Sequence, residues 1–462
     1  MDKYLGNKAK LLPLIETFVS SRISSASSIS DLFAGTTNVS RYFSGRGYEV
    51  ILGDLNRFSY VLGQAYLGQS TPPTFDRLPQ FQCEVARVER LHVEFLRAFR
   101  KNADAYLPRT SEAQAWAPLR PLANVLSYLQ AEGERNHEPW IITDYFSQWG
   151  TKADFRSLRG STGKRNYFSQ SNALFLDGII RTIRDWWRRD LLTRPELFTL
   201  MASVIEEIVI TANVSGTFHD FTRNRLWPNA LQSFFLRVPL IRPNPKSVEI
   251  TNDDALNATG YISQHDVCYL DPPYNFRQYS AYYHFLNFVA AVPMLENLDG
   301  YLAGIAQVRG QNPEDNQSSD FCSKASFVES LKELIKRVPS DHVVLSYYNG
   351  RNHWNHWSAV DEPTNEGLEK LSALFADKTL FSDYEAISAL DVRRNYQSRI
   401  GERKLLVNEY LFLGRKRDRG ESKTSVFVPL EANLRWGLAD GFSHTRSDSQ
   451  KIVQARRMDS LG

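Results

Sequence analysis

The chain has 462 residues, 42% of them hydrophobic and 23% charged, with a formal net charge of +3 at pH 7. That length suits a large core and more than one domain, in a soluble globular protein. No apolar run approaches the roughly 18–20 residues of a membrane span, and the near-neutral balance requires any basic nucleic-acid footprint to be local.

Residues 1–60 read as α/β. Leu11, Leu12, Leu14, Ile15 and Phe18 make the opening amphipathic. ASSISDLFAG and GYEVILGDLN then read as strands ending at Asp31 and Asp54, with a helix from Val39 to Phe43 between them. Residues 61–244 read as a mainly helical insertion. Leu176, Ile179, Ile180, Ile183 and Trp187 recur at helical spacing, and Thr193 with Glu196 forms a capping box ahead of PELFTLMASVIEEIVI. From 245 to 415 the α/β pattern returns, with strands in SVEITNDDA, DVCYLDPPY, DHVVLSYYN and EYLFLGRK. FVESLKELIKRV supplies a helix with Phe327, Leu331, Leu334, Ile335 and Val338 on one face. Strands alternating with helices predict a Rossmann-like, mostly parallel sheet with helices on both faces. Residues 416–462 have no clear period and read as a loosely attached tail.

Cys83, Cys268 and Cys322 stand far apart in no metal-ligand spacing. The opening MDKYLGNKAKLLPLI has no apolar signal region. Both features point to reduced thiols, a cytoplasmic protein and no bound metal.

Four acidic positions stand at strand ends. DLFAG places Asp31, Phe33 and Gly35 at a strand-to-helix turn, where glycine lets backbone approach a ligand closely. It is not G-x-G-x-x-G, which disfavours a dinucleotide. Asp54 ends the next strand, where an acid can accept both hydroxyls of a ribose. Asp254 repeats that logic after EIT, with Asp253 as its competitor. In LDPPYNF, Pro272 and Pro273 remove backbone donors and end the ladder, which holds Asp271 and Tyr274 on a stiff loop. A separate stretch, TKADFRSLRGSTGKR, sets Lys152, Arg156, Arg159, Lys164 and Arg165 against one acid, Asp154. It reads as a flexible basic loop for phosphates, or else as a solvated charged loop. TRNRLW, 222–227, is a second basic stretch.

YLGNK, DLFAG, GDLN, NDDA and DPPY, in this order, resemble the Dam-type family of DNA adenine-N6 methyltransferases in the alpha arrangement. NYFSQSNALFLDGIIRTI and NFRQYSAYYHFLN resemble further segments of it, so the resemblance spans most of 1–415. It implies an S-adenosylmethionine-dependent methyltransferase fold split into 1–60 and 245–415. It implies S-adenosyl-L-methionine as methyl donor, with Tyr4 and Lys8 against it and Lys8 near its carboxylate end. Asp31, Phe33 and Gly35 would border the methionine part, Asp54 the ribose and Asp254 the adenine amino group.

Asp271 and the Pro272 carbonyl would hold the amine of a flipped target adenine, with Tyr274 offering a stacking face. Asn275, Arg277, Gln278 and Tyr279 would fill the gap left by that base or touch its neighbours. The insertion would read the target in double-stranded DNA, and a cognate restriction endonuclease is a functional partner. An RNA adenine methyltransferase and an inactive DNA-binding regulator are the alternatives. Asp271 favours adenine, because cytosine-N4 enzymes tend to carry Ser there and glutamine enzymes Asn.

Overall fold

The computed structural model describes residues 6–81, 84–157, 160–241, 246, 248–305, 311–315, 317–350, 352–355, 364–393 and 405–417. Tyr4, Arg159 and the tail beyond 417 lie outside these residues.

Seven strands form the main sheet: β1 (Ser28–Asp31), β2 (Glu49–Gly53), β5 (Val248–Thr251), β6 (His265–Leu270), β7 (Ser340–Tyr348), β8 (Phe381–Arg393) and β9 (Leu405–Lys416). Their order is β5-β2-β1-β6-β7-β9-β8. The first five run parallel, and β9 runs antiparallel to both β7 and β8. The sheet is therefore mostly parallel and covered by helices, as expected. The chain works outward from β1 through β2 to β5, then returns to β6 on the other side of β1. That reversal opens a crevice beyond the carboxyl ends of β1 and β6.

Alternation along the strands divides the interior in two. On β6, Val267 and Tyr269 join the larger apolar cluster, whereas Cys268 and Leu270 join the smaller. Val50 and Leu52 on β2 face the larger cluster and Ile51 the smaller. Helices α1 (Leu12–Arg22), α2 (Asn38–Gly45) and α3 (Arg57–Tyr66) pack into the larger cluster.

So do the helices between β2 and β5: α4 (Val85–Tyr106), α5 (Glu112–Trp116), α6 (Arg120–Arg135), α7 (Ile141–Phe146), α8 (Gln170–Arg188) and α9 (Arg194–Thr211). α10 (Ala255–Ala258) lies between β5 and β6, and after β6 come α11 (Tyr279–Tyr282), α12 (His284–Ala291), α13 (Leu298–Ala303), α14 (Phe327–Arg337) and α15 (Glu366–Ala376). α14 and α15 cover the opposite face with Phe327, Leu331, Leu371 and Leu374.

α9 packs on α3 and α12. The insertion is thus separate in sequence but shares one continuous apolar core with the sheet's helices. The capping box is present at Thr193, whose hydroxyl accepts from the Glu196 amide. On α8 the stripe Leu176, Ile179, Ile180 and Ile183 is fully buried, but it is Trp186 that goes inside and Trp187 that stays partly exposed.

The basic stretch is not a bare flexible loop. Asp154–Arg156 (β3) and Thr162–Lys164 (β4) pair antiparallel as a short hairpin.

Candidate active site

Lys8, Asp31, Phe33, Gly35, Asp54, Asp254, Asp271, Pro272, Tyr274 and Tyr279 line one open cleft of about 930 Å³. The cleft lies beyond the carboxyl ends of β1, β2 and β6, where the strand order reverses. Asp254 lines it and Asp253 does not. Asp253 instead accepts from Asn257 Nδ2 and the Tyr261 hydroxyl, while Asp254 caps α10 by accepting from the Leu256 amide at 2.9 Å.

At the end of β1 the Asp31 carboxylate is buried and accepts from Ser40 Oγ at 2.8 Å. Burial pushes its pKa up to about 7; the Ser40 bond opposes this, and the Asp271 and Asp54 charges add to it. Gly35 has φ +50°, a left-handed turn that suits glycine. Its amide donates to Asp54 Oδ2 at 2.7 Å, and Asp54 Oδ1 accepts from the Asn56 amide and Asn56 Nδ2. A carboxylate has about four acceptor sites, so Asp54 mainly clamps two strand-end turns together and keeps little capacity beyond that. Burial raises the Asp54 pKa and these amide bonds oppose the rise.

On the β6 side, the Lys8 ammonium is buried. It lies 3.0 Å from Asp271 Oδ1 and 2.8 Å from Glu409 Oε1 on β9, and it donates to the Tyr274 hydroxyl at 3.2 Å. The ammonium thus sits among two carboxylates and a phenol oxygen. Lys8 lines the cleft and lies against the DPPY loop. Glu409 is buried and also accepts from Ser346 Oγ of β7 at 2.6 Å. The Tyr274 ring packs near Tyr347 and Tyr348, and its carbonyl accepts from the His353 amide at 2.8 Å.

The loop after Tyr274 is tied down from the segment 317–322. The Ser319 amide donates to Gln278 Oε1, Ser280 Oγ to the Gln317 carbonyl and Cys322 Sγ to the Arg277 carbonyl. Asn275 accepts from the Arg277 amide through its side chain and serves this turn. The Arg277 guanidinium lies over the Tyr282 ring, which stacks on His219 at 4.6 Å. Tyr279 lines the cleft itself and does not project outward. Phe276 is exposed at the loop's tip.

Of the basic residues, Lys152, Arg156 and Lys164 are exposed on or beside the hairpin. Arg165 is not. It is 1% exposed, and its guanidinium donates to the carbonyls of Tyr145, Lys152 and Ile305. It secures the hairpin from inside and has no surface to offer a phosphate, which corrects the expectation from its neighbours. The second basic stretch lies beside the hairpin, with Arg223 over the Phe155 ring and Arg225 over Trp227.

Glu409, Ser346 and Asn56 went unnoticed in the sequence. Glu409 had one signal, a lone acid in the otherwise apolar EYLFLG, where a charge is rarely buried without a partner.

The chain is similar to Modification methylase StsI of Streptococcus sanguinis, with 27% identity over 428 residues, or 91% of this chain and 53% of that protein. It is similar to Modification methylase LlaI of Lactococcus lactis subsp. lactis at 24% identity over 75% of this chain and 46% of that protein. Type II methyltransferase M.NlaIII of Neisseria lactamica is 26% identical over 75% of this chain and 83% of its own length. The chain spans about half the length of the first two relatives. No solved structure matches. Residues 4–138, which hold Lys8 and the Asp31–Asp54 side of the cleft, match the model of the D12 class N6 adenine-specific DNA methyltransferases.

Proposed function

We propose that the protein is a site-specific DNA methyltransferase of the Dam type. It would transfer the methyl group of S-adenosylmethionine to N6 of an adenine turned out of duplex DNA. The observation that carries this reading is the cleft: the strand-end acids of β1, β2 and β5 and the DPPY loop of β6 face one another at the switch point. The donor set fits the methyl donor. Asp31 and Asp254 offer carboxylates, Asp54 borders the same space, and no phosphate-binding glycine run is present. When bound, the donor supplies a methyl group on a positively charged sulfur.

The chain's own residues act on the amine. N6 of adenine is a weak nucleophile because its lone pair is delocalised into the ring. Asp271 and the Pro272 carbonyl accept its two hydrogens, drawing the nitrogen toward tetrahedral geometry and localising the pair. Positioning and electrostatics supply most of the acceleration. The proton leaves after transfer, so Asp271 need not be a strong base.

Turning a base out costs a few kcal/mol, and stacking on an aromatic returns roughly 1–3 kcal/mol. Backbone contacts offset the rest. Lys152, Arg156, Lys164, Arg223 and Arg225 are exposed and would supply them, while Phe276, exposed on the loop after Tyr274, and Arg277 would touch the neighbouring bases. A restriction endonuclease that cuts the same unmodified sequence is the functional partner, and the cytoplasm is the compartment where both would meet DNA.

The test is a product assay. Purified protein, donor and mixed-sequence duplex are incubated, digested to nucleosides and read by mass spectrometry beside Asp271→Ala. N6-methyladenine from the native protein alone is expected. Methylation of RNA and not DNA, or donor binding without product on either, would overturn the reading.

A further inference from the structure

We propose that Glu409 is a positioning residue for methyl transfer, holding Lys8 against Asp271 and keeping the group of three charges net negative. The proposal rests on the reading of the cleft as an adenine methyltransferase site.

Two buried charges and one partly exposed charge meet beside the DPPY loop. Lys8 is 3% exposed, Glu409 1% and the Asp271 side chain 16%. The ammonium lies 2.8 Å from Glu409 and 3.0 Å from Asp271. Glu409 is fixed in turn by the Ser346 hydroxyl at 2.6 Å. The two strands that carry Ser346 and Glu409, β7 and β9, pair antiparallel inside the sheet, which fixes the backbone of both residues.

The arrangement has two consequences. Lys8 lies 3.0 Å from Asp271 Oδ1 and donates to the Tyr274 hydroxyl. That holds the Asp271 carboxylate and the Tyr274 ring in a fixed relation to each other, so the carboxylate meets the amine from a set direction. The second consequence is electrostatic. As the amine nitrogen forms its bond to the methyl carbon, the carbon–sulfur bond breaks and sulfur keeps the pair. Positive charge thereby passes from sulfur to nitrogen, and the nitrogen then loses a proton to Asp271 or to water. Lys8 beside Asp271 offsets part of the carboxylate's attraction for charge arriving at that nitrogen. Glu409 brings the sum to −1, in a site where water screens little.

The test compares the native protein with Glu409→Gln, which keeps the shape and removes the charge. Single-turnover rates are read on preformed donor–DNA complexes and donor affinity by calorimetry. A rate at least about 10-fold lower, with donor affinity changed less than about 2-fold, is expected. An unchanged rate would overturn the proposal. So would weaker donor binding with an unchanged rate at saturation, which would place Lys8 with the donor.

If Glu409→Gln does not melt cooperatively, Ser346→Ala decides. It removes one hydrogen bond to Glu409, and a slower transfer at equal donor affinity supports the proposal while an equal rate rejects it. A native protein that makes no N6-methyladenine would bring down the reading of the site as well, whereas an active native protein with indifferent variants brings down the role of Glu409 alone.

Discussion

Asp31 shows how one residue's surroundings reach into binding. Its carboxyl titrates near 7 chiefly because it is buried at the end of β1. If it borders the donor's cationic amine, binding favours the ionised form and lowers that value. Donor binding between about pH 6 and 7 should therefore release a proton. Calorimetry in buffers of different ionisation enthalpy checks this, and Asp31→Asn should abolish the release and weaken donor binding at least about 10-fold. The same burial has a stability consequence. An unfolded aspartate titrates near 4, so the folded protein holds the extra proton from about pH 4 up to the folded value of about 7. Stability from this group is greatest below that window and falls as pH rises through it. The melting temperature of Asp31→Asn should fall less steeply with pH than that of the native protein.

The β3–β4 hairpin separates two roles that look alike in sequence. Arg165 is buried on three carbonyls, so Arg165→Met leaves them without a donor and costs about 3 kcal/mol. A melting temperature lower by several degrees, read by scanning calorimetry, is expected. Lys152, Arg156 and Lys164 are exposed. Changing all three to Gln should leave the melting temperature nearly unchanged. It should flatten the salt dependence of DNA binding, with the log–log slope falling by up to about 3, near 0.9 per lost phosphate contact. An unchanged slope would place the footprint on Arg223 and Arg225 or elsewhere.

Across the whole molecule, the insertion and the helices on the sheet share a core. α9 is buried almost all round, with Leu197, Leu200, Val204 and Ile208 at 0% exposure, because it lies between the insertion and the sheet's helices. Removing the insertion would expose that surface. The fragment 67–241 expressed alone should therefore show no cooperative melt and should bind a hydrophobic dye. The full chain should melt in a single transition. A fragment that melts cooperatively would make the insertion an independent domain.

Much of this was legible in the chain. β1, β2, β5, β6, β7 and β9 each answer to an apolar run ending at a turn residue, and α14 to a 3.6-residue stripe, because local pattern alone specifies such elements. The acids at strand ends were legible too, since an open parallel sheet gathers its carboxyl ends into one place. β8 was missed because FSDYEAISALDVR alternates charge with small residues, and only pairing with β9 makes it a strand. Arg165 was misread because nothing local distinguishes an inward arginine from an outward one. Glu409 stands 401 positions from Lys8 along the chain, and no pattern in either segment names the other. Sequence by itself determined the elements, the sheet class and the acids of the cleft, all properties of local composition and period. Tertiary structure alone decided which charges lie close enough to act on one another, because Coulomb and hydrogen-bond energies depend on separations of a few ångströms that folding creates.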